Sequence, residues 1–507
     1  MKIEDTRSVC PECLKIIPAE IYEENNIVWI RKNCPEHGEV TEKYWEDYDM
    51  YKRASRFARD GKGIDNPNVK YAGDNCPFEC GLCKRHKSHT SLANIVLTNR
   101  CDLSCWYCFF FAKQGEKIYE PSLEQLTQMF RTLREEKPVA TNAIQLTGGE
   151  PTLRDDLLDI IRIAREEGFE HVQLNTNGIR LANDPELAGK VREAGVNTIY
   201  LSFDGMTEKT NPKNHAEVYR AIENCRKVNL GIVLVPTVIK GVNDHELGAI
   251  IKFAADNLDV IRGVNFQPVS LVGRMPKGER EKMRITIPRA IKNIEEQTNG
   301  EIARDDFFPV PCVGSITDFV EALTERPKYD LSIHFACGMA TYIFKDGDRL
   351  VPITQFVDVE GLFNYLGAKA LELRQGKSKL LTSVKLLAQI GKFIDKEKQP
   401  KGFSLAKLLY NALVKHDYKT LGEFHYKTLF LGFMHFQDPW NYDIQRVERC
   451  AIHYAMPDGR IVPFCAFNVF PEFYRDKVQE RYGMLPSEWE KKTGKKLQDD
   501  LYKRVTR

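Results

Sequence analysis

The sequence predicts an α/β protein built on a partial (β/α)6 barrel, and three observations predict it. Between about residues 93 and 270, β-branched runs alternate with amphipathic stretches, the signature of repeated βα units and a parallel sheet. Cysteine and glycine motifs fall directly after the strand runs, at the C-terminal strand ends where such folds carry their chemistry. Further cysteines at short spacings flank this region, which predicts a metal-binding module ahead of the barrel and a cysteine-bearing extension behind it.

The strand runs are LANIVLT, NAIQLTGGE, HVQLNTNG, TIYLSFDG, GIVLVPTVIKG and GVNFQPV. Amphipathic stretches such as PSLEQLTQMFRTLREE and RDDLLDIIRIAREE follow the first five at helical spacing. Cys225 stands apart from the other cysteines, on the helical pattern NHAEVYRAIENCRKVN, and reads as a buried structural thiol.

At 507 residues, with 42% hydrophobic and 28% charged, the chain can bury a sizeable core and suits several domains. A net charge of +2 gives no global pull toward nucleic acid, so no nucleic-acid partner is expected. Fourteen cysteines would suggest disulfides in a small secreted protein. Here they cluster in a large chain without a secretory apolar segment near Met1, which points to metal ligation in the cytoplasm. No apolar run reaches the roughly 18 residues that a membrane-spanning helix needs.

Directly after the first strand comes CDLSCWYC, a C-x3-C-x2-C loop. Its thiolates, Cys101, Cys105 and Cys108, can reach three irons of a [4Fe–4S] cluster and leave the fourth iron without protein. A zinc knuckle would favour paired CxxC units instead. A bidentate amino and carboxylate ligand can occupy the open iron. The second strand ends in TGGEPTL, where Gly148 and Gly149 permit a turn close to a ligand and Glu150 can accept from an ammonium group.

These two motifs on successive strand ends resemble the radical S-adenosylmethionine (SAM) superfamily, over residues about 90 to 275. The resemblance implies SAM as cofactor and Cys101, Cys105 and Cys108 as the catalytic cluster ligands. It implies Tyr107 near the adenine, with Gly148, Gly149 and Glu150 on the SAM amino group. Asn175, Ser202, Asp204 and Thr237 would line the ribose and methionine pocket, although strand-end polar residues equally cap helices.

CPEC, then twenty residues, then CPEH resembles a zinc-ribbon or rubredoxin-like knuckle binding one iron or zinc through Cys10, Cys13 and Cys34. The fourth ligand is His37 or a cysteine from the next group. That group, Cys76, Cys80 and Cys83 in CPFECGLC, has a spacing suited to an iron–sulfur cluster whose fourth ligand stays open. A partial repeat relates CGMATYIFKDGDRLVPIT from Cys337 to CAIHYAMPDGRIVPFC from Cys450, each a cysteine followed by a hairpin with a DG turn. The pattern resembles the auxiliary-cluster extensions of radical SAM enzymes, which implies a four-thiolate cluster on Cys312, Cys337, Cys450 and Cys465. Four scattered core thiols are the alternative.

The organisation expected is a metal module at 1–60, an auxiliary-cluster segment at 61–90, the barrel at 91–285 and an extension at 286–507. Within the extension, residues 362–440 combine apolar positions at helical spacing, including Leu380, Val384, Leu387 and Ile394, with a lysine-rich face. FSLAKLLYNALVKH and TLFLGFMHFQDPW follow. Such helices either lie in an anionic lipid interface or present a solvated face over a core. Taken over its length, the chain resembles the archaeal tetraether lipid synthases and the related pterin methylases. The first resemblance implies three [4Fe–4S] clusters, one mononuclear metal, an external electron donor and an archaeal diether phospholipid substrate. It also implies peripheral contact at the inner membrane face and coupling of terminal methyl carbons of isoprenoid chains. That is the function expected, with radical SAM methylation of a reduced pterin in methanopterin biosynthesis as the alternative.

Overall fold

Four antiparallel strands open the chain: β1 (Lys2–Val9), β2 (Ile16–Glu24), β3 (Ile27–Cys34) and β4 (Gly38–Trp45), paired in sequence order. Their alternation buries Ile21, Val28, Ile30 and Trp45 on one face. The computed structural model describes residues 1–67, 75–110, 116–400, 404 and 427–506.

The barrel strands are β5 (Leu92–Thr98), β7 (Ala143–Gly148), β8 (His171–Thr176), β9 (Thr198–Ser202), β10 (Gly231–Val235) and β12 (Ile261–Pro268), all parallel and adjacent in that order. A short β6 (Leu103–Cys105) lies in the loop after β5. Pro236 has no N–H for the ladder, and it splits the fifth run into β10 and β11 (Thr237–Val238). The helix after β5, Leu123–Arg134, starts on a capping box of Ser122 and Gln125. Its buried face of Leu126, Met129, Phe130 and Leu133 packs in one core with Ile95, Leu97, Ile144 and Leu146 from the strands. The helix His215–Lys227 carries Cys225 fully buried.

The other strand face is polar. Gln145 donates to Asn94 Oδ1 at 2.9 Å, Gln173 to Gln145 Oε1 at 2.5 Å and Asn175 to Thr147 Oγ1 at 3.1 Å. Each buried amide satisfies its neighbour, which is what a water-poor barrel interior requires.

The extension completes the sheet at both edges. After β13 (Phe308–Pro309) come a hairpin of β14 (Gly338–Asp346) and β15 (Arg349–Pro352), then β16 (Thr428–Met434). β16 pairs parallel with β12 and antiparallel with β14. β17 (Ile452–Ala455) pairs parallel with β5 and antiparallel with β18 (Ile461–Pro463). The two hairpins of the partial repeat therefore sit at opposite ends of the sheet, and Gly347 and Gly459 take the positive φ that each DG turn needs. The last strand, β19 (Lys503–Val505), pairs with β6.

The apolar stretch 362–440 resolves differently from a lipid-facing helix pair. Leu362, Leu366, Ala370 and Leu373 of the helix Val359–Arg374, with Leu386 and Ile390 of Lys379–Ile390, pack against Phe319, Phe344 and Phe356 as a satellite core. Ile394 joins that core, whereas Leu380 and Val384 are exposed. TLFLGFM is strand β16. FSLAKLLYNALVKH lies outside the described residues, apart from Ser404. Among the described residues, no helix is long and apolar enough to cross a membrane.

Candidate active site and metal centres

The cysteine loop is gripped from both ends of the sequence. Cys101 follows the end of β5, and Cys105 closes β6, to which β19 adds a parallel strand. Tyr502 N donates to Asp102 O at 2.8 Å and Trp106 N to Val505 O at 3.3 Å. Burial pushes all three thiols up, Cys105 to about 12. The Lys213 and Arg274 cations oppose that shift at Cys105 and Cys108, while Asp102 adds to it at Cys101. Leu103 N donates to Cys101 Sγ at 3.4 Å. Three half-buried thiols on one short loop, with two counter-cations and no disulfide, are a donor set that fits an iron–sulfur cluster better than free thiols.

The GGE motif serves this loop directly. Gly149 N donates to Thr98 O and Glu150 N to Arg100 O, both at 2.8 Å. A Cβ at Gly148 would stand 2.2 Å from Thr98 O, and one at Gly149 2.0 Å from Arg100 O. Only glycine lets the second strand end lie flat on the backbone that leads into Cys101. Glu150 is buried, and its carboxylate accepts from Thr152 N, Thr152 Oγ1, Thr176 Oγ1 and Asn177 N at 2.6–3.1 Å. Asn177 also donates to Asp102 Oδ1 at 2.6 Å, so one network joins the ends of β7 and β8 to the cysteine loop.

Tyr107, Asp204 and Thr237 meet. Tyr107 donates to Asp204 Oδ2 at 2.6 Å and Thr237 N to Asp204 Oδ1 at 2.9 Å. Lys213, which the sequence reading passed over, pairs with Asp204 Oδ2 at 3.0 Å and stands 4.8 Å from the centre of the Tyr107 ring. Ser202 and Asn175 lie on neighbouring strand ends, Ser202 O accepting from Asn214. Tyr107 and Thr237 stand between two cavities. One, of about 570 Å³, opens between the loops after β9 and β11 and is lined by Trp106, Thr210, Ile239, Asn243 and Glu246 among others. The other, of about 30 Å³, is bounded by Phe109, Gln267, Phe436, Gln437, Phe464, Cys465 and Asn468.

In the N-terminal ribbon, ligand atoms of Cys10, Cys13, Cys34 and His37 all lie within 4.8 Å of one another. Cys13 Sγ is 3.8 Å from Cys34 Sγ, and His37 Nδ1 is 3.7 Å from Cys10 Sγ and 3.5 Å from Cys34 Sγ. Those are the edges of a tetrahedron with arms of about 2.3 Å, the zinc–thiolate length. His37, rather than a cysteine of the 76–83 group, is the residue placed to complete a four-donor set here.

Thiols of both the 76–83 group and the C-terminal set come near Tyr442. Cys76, Cys80, Cys450 and Cys465 pack in the same apolar cluster as this tyrosine. Its hydroxyl is pushed up by burial and then by Cys465, Cys76 and Cys80, and it has no hydrogen-bond partner among the described residues. A buried hydroxyl left open toward two thiol groups fits inorganic sulfide acceptors there. Cys450 and Cys465 each register Cys337 and one of them the other, after burial. Cys312 behaves differently. It is buried in the turn Val310–Val313 and pushed up to about 12 by burial alone, with no thiol acting on it.

Comparison with known proteins agrees with this geometry. The radical SAM superfamily profile matches residues 95–254, and the profile described as HMPTM N-terminal zinc ribbon domain matches residues 2–46. The 7,8-dihydro-6-hydroxymethylpterin dimethyltransferase of Methanocaldococcus jannaschii is 48% identical over 96% of this chain and 97% of its own. A GTP 3',8-cyclase of Clostridium acetobutylicum is 27% identical over 46% of this chain and 70% of its own. Among solved structures, methylornithine synthase covers 42% of this chain and 64% of its own at 16% identity and a TM-score of 0.33.

The expected tetraether lipid synthesis, with its lipid partner and membrane contact, is corrected by the first of these relatives. The full-length match is to a pterin enzyme, and the stretch read as interfacial is in large part a satellite core and a barrel-edge strand. SAM, one [4Fe–4S] cluster and a zinc-ribbon metal are the cofactors that the matched families carry. The chain is thus a radical SAM enzyme with an N-terminal zinc ribbon, and it belongs to the family of the M. jannaschii pterin dimethyltransferase.

Proposed function

We propose that this protein is a radical SAM methylase acting on a reduced pterin of the 7,8-dihydro-6-hydroxymethylpterin type. The observation that carries the reading is the 48% identity across nearly the whole of both chains, metal module and extension included. The 30 Å³ cavity supports it. Phe109, Phe436 and Phe464 give it aromatic walls, and Gln267, Gln437 and Asn468 give it amide donors and acceptors, the combination that a flat, polar bicyclic ring asks for. Its volume is below that of such a ring, so this reading requires the stacked rings of Phe436 and Phe464, 3.8 Å apart, to part on binding.

In this reading Cys101, Cys105 and Cys108 would hold the cluster with one iron left for SAM, and Trp106, Tyr107 and the 570 Å³ cavity would receive its adenosine. Bound there, SAM supplies on reduction a carbon-centred radical able to take hydrogen from a C–H bond that acid–base catalysis cannot reach. Tyr107, fixed by Asp204, forms the wall between the cofactor side and the substrate side. Lys213 offsets the negative charge of thiolates and Asp204 in a buried place. The 76–83 and C-terminal thiols hold auxiliary iron–sulfur clusters, with Cys465 on the edge of the substrate cavity.

The test is anaerobic reconstitution with iron, sulfide, SAM and a strong reductant, followed by addition of the reduced pterin. Methylated pterin is expected with 5′-deoxyadenosine and methionine from one SAM and S-adenosylhomocysteine from a second SAM that gives the methyl group, the reductant supplying one electron for each. Unchanged pterin, with a diether phospholipid in a parallel assay turned over instead, would overturn the assignment.

A further inference from the structure

We infer that His435 is an iron ligand of the C-terminal auxiliary cluster, taking the position expected of Cys312. The inference rests on the reading that Cys337, Cys450 and Cys465 hold an iron–sulfur cluster.

A count of thiols poses the question. With the ribbon, the radical SAM loop and Cys225 set aside, seven cysteines remain for two auxiliary clusters, and two cubanes ligated wholly by thiolates need eight. Even with Cys312 counted, the set falls one ligand short.

The sheet brings an imidazole to the place of need. The last registered pair of β14 and β16 is Gly338 opposite Met434, and the ladder continues with His435 N donating to Cys337 O at 2.9 Å. Cys337 and His435 are thus the next facing residues, and facing residues of an antiparallel pair project from the same side. Arg446 ties the two together, with Nε on Cys337 Sγ at 3.2 Å and Nη2 on His435 O at 2.6 Å. Two residues further on, Gln437 N donates to Cys465 Sγ at 3.4 Å. Residues 435–437 therefore touch two of the three cysteines, Cys337 at its backbone carbonyl and Cys465 at its thiol.

The His435 ring is 2% exposed, and neither Nδ1 nor Nε2 has a hydrogen-bond partner among the described residues. A buried neutral imidazole ordinarily engages both nitrogens, one as donor and one as acceptor. Leaving both idle costs free energy that a metal bond recovers. Burial first, and then the Arg446 and Arg284 cations with Asp438 opposing them, disfavour the imidazolium and keep a ring nitrogen lone pair available. A neutral imidazole in place of a thiolate also raises a cluster's reduction potential.

Pulsed electron paramagnetic resonance on the reduced, fully reconstituted protein tests this. The expected result is the strong coupling of a directly bonded nitrogen, altered when the protein is grown on histidine labelled with heavy nitrogen. In His435→Cys the coupling should vanish and the midpoint potential of that cluster should fall, with iron and sulfide unchanged. His435→Ala should lose that cluster's iron alone. Auxiliary clusters present in full without a strongly coupled nitrogen, or with a coupling that persists in His435→Cys, would overturn the ligand. Iron at the level of the radical SAM cluster and ribbon alone would instead overturn the auxiliary-cluster reading, and this inference with it.

Discussion

The Tyr107 hydroxyl and the Lys213 ammonium meet on one carboxylate oxygen, Asp204 Oδ2, at 2.6 and 3.0 Å. The pair is nearly closed to solvent, so Lys213 is the counter-charge to Asp204 beside the cluster loop. Lys213→Met leaves a buried carboxylate without its cation, a change that costs about 3–5 kcal/mol. The expected outcome is a lower melting temperature and weaker SAM binding by equilibrium dialysis, both partly restored by Lys213→Arg. A wild-type SAM affinity in Lys213→Met would show that the ion pair does not shape the cofactor pocket.

Gly149→Ala makes a different prediction from one based on cofactor approach. Its Cβ would press on Arg100 O, in the backbone that leads into Cys101, and overpacking of this kind costs about 1–3 kcal/mol. Iron bound at the 101–108 loop should drop along with 5′-deoxyadenosine formation. If only SAM affinity drops while iron is retained, the glycine serves the ligand rather than the loop.

The tail offers a third prediction. Val505 is 2% exposed and packs with Leu103 and Tyr107, and β19 supplies Trp106 N with its acceptor. Deleting residues 501–507 exposes the edge of β6 and frees the cysteine loop. Such a variant should fold, because the barrel core lies elsewhere, yet lose cluster iron faster under chelator than the full chain. Equal loss rates in the two proteins would assign the tail no part in holding the loop.

How much of this was legible follows from the range of the contacts. The first strand run, LANIVLT, coincides with β5, because β-branched residues between turn signals are a local property. The CPEC and CPEH knuckle was equally local, and only the choice of His37 needed coordinates. The parallel partners β16 and β17 were not legible. TLFLGFM is apolar enough for a buried helix or a buried strand, and its neighbours β12 and β14 lie far away in sequence. Lys213 escaped because a lysine in a loop carries no motif, and its meaning comes from Asp204 nine residues earlier folding back on it. Cys312 was grouped with Cys337, Cys450 and Cys465 through the resemblance to auxiliary-cluster extensions, and in the fold it lies buried in the turn Val310–Val313.

The ribbon metal should be acid-labile. Backbone amides of Glu36 and His37 and the His37 ring hold the Cys34 thiol down at about 6, so its thiolate form is complete above that pH and lost as pH falls through it. Metal ligation adds to the same preference, since the bound form requires the thiolate. Metal release into a chromogenic chelator should therefore accelerate below about pH 6. Cys34→Ser should release its metal at neutral pH and loosen the contacts that Thr6 and Tyr44 make with Asp443 in the extension. Release that is flat between pH 7 and 5 would contradict the ligand assignment.

His89 sets a second acid sensitivity, of structural origin. The ring is fully buried, its Nε2 accepts from Asp330 N at 2.9 Å and its Nδ1 faces Thr90 O at 3.2 Å, so the neutral tautomer with a proton on Nδ1 satisfies both contacts. Burial lowers its pKa to about 4. Between about 6.5 and 4 the unfolded chain takes up a proton that the native state refuses, so this stability is complete above about pH 6.5 and is lost as pH falls toward 4. The shift corresponds to about 3 kcal/mol across that window. His89→Gln keeps an acceptor for Asp330 N but cannot titrate, so it should start less stable at pH 7 and lose less on acidification. Melting temperatures of both proteins between pH 7 and pH 4.5 should converge; parallel curves would place the acid sensitivity in other groups.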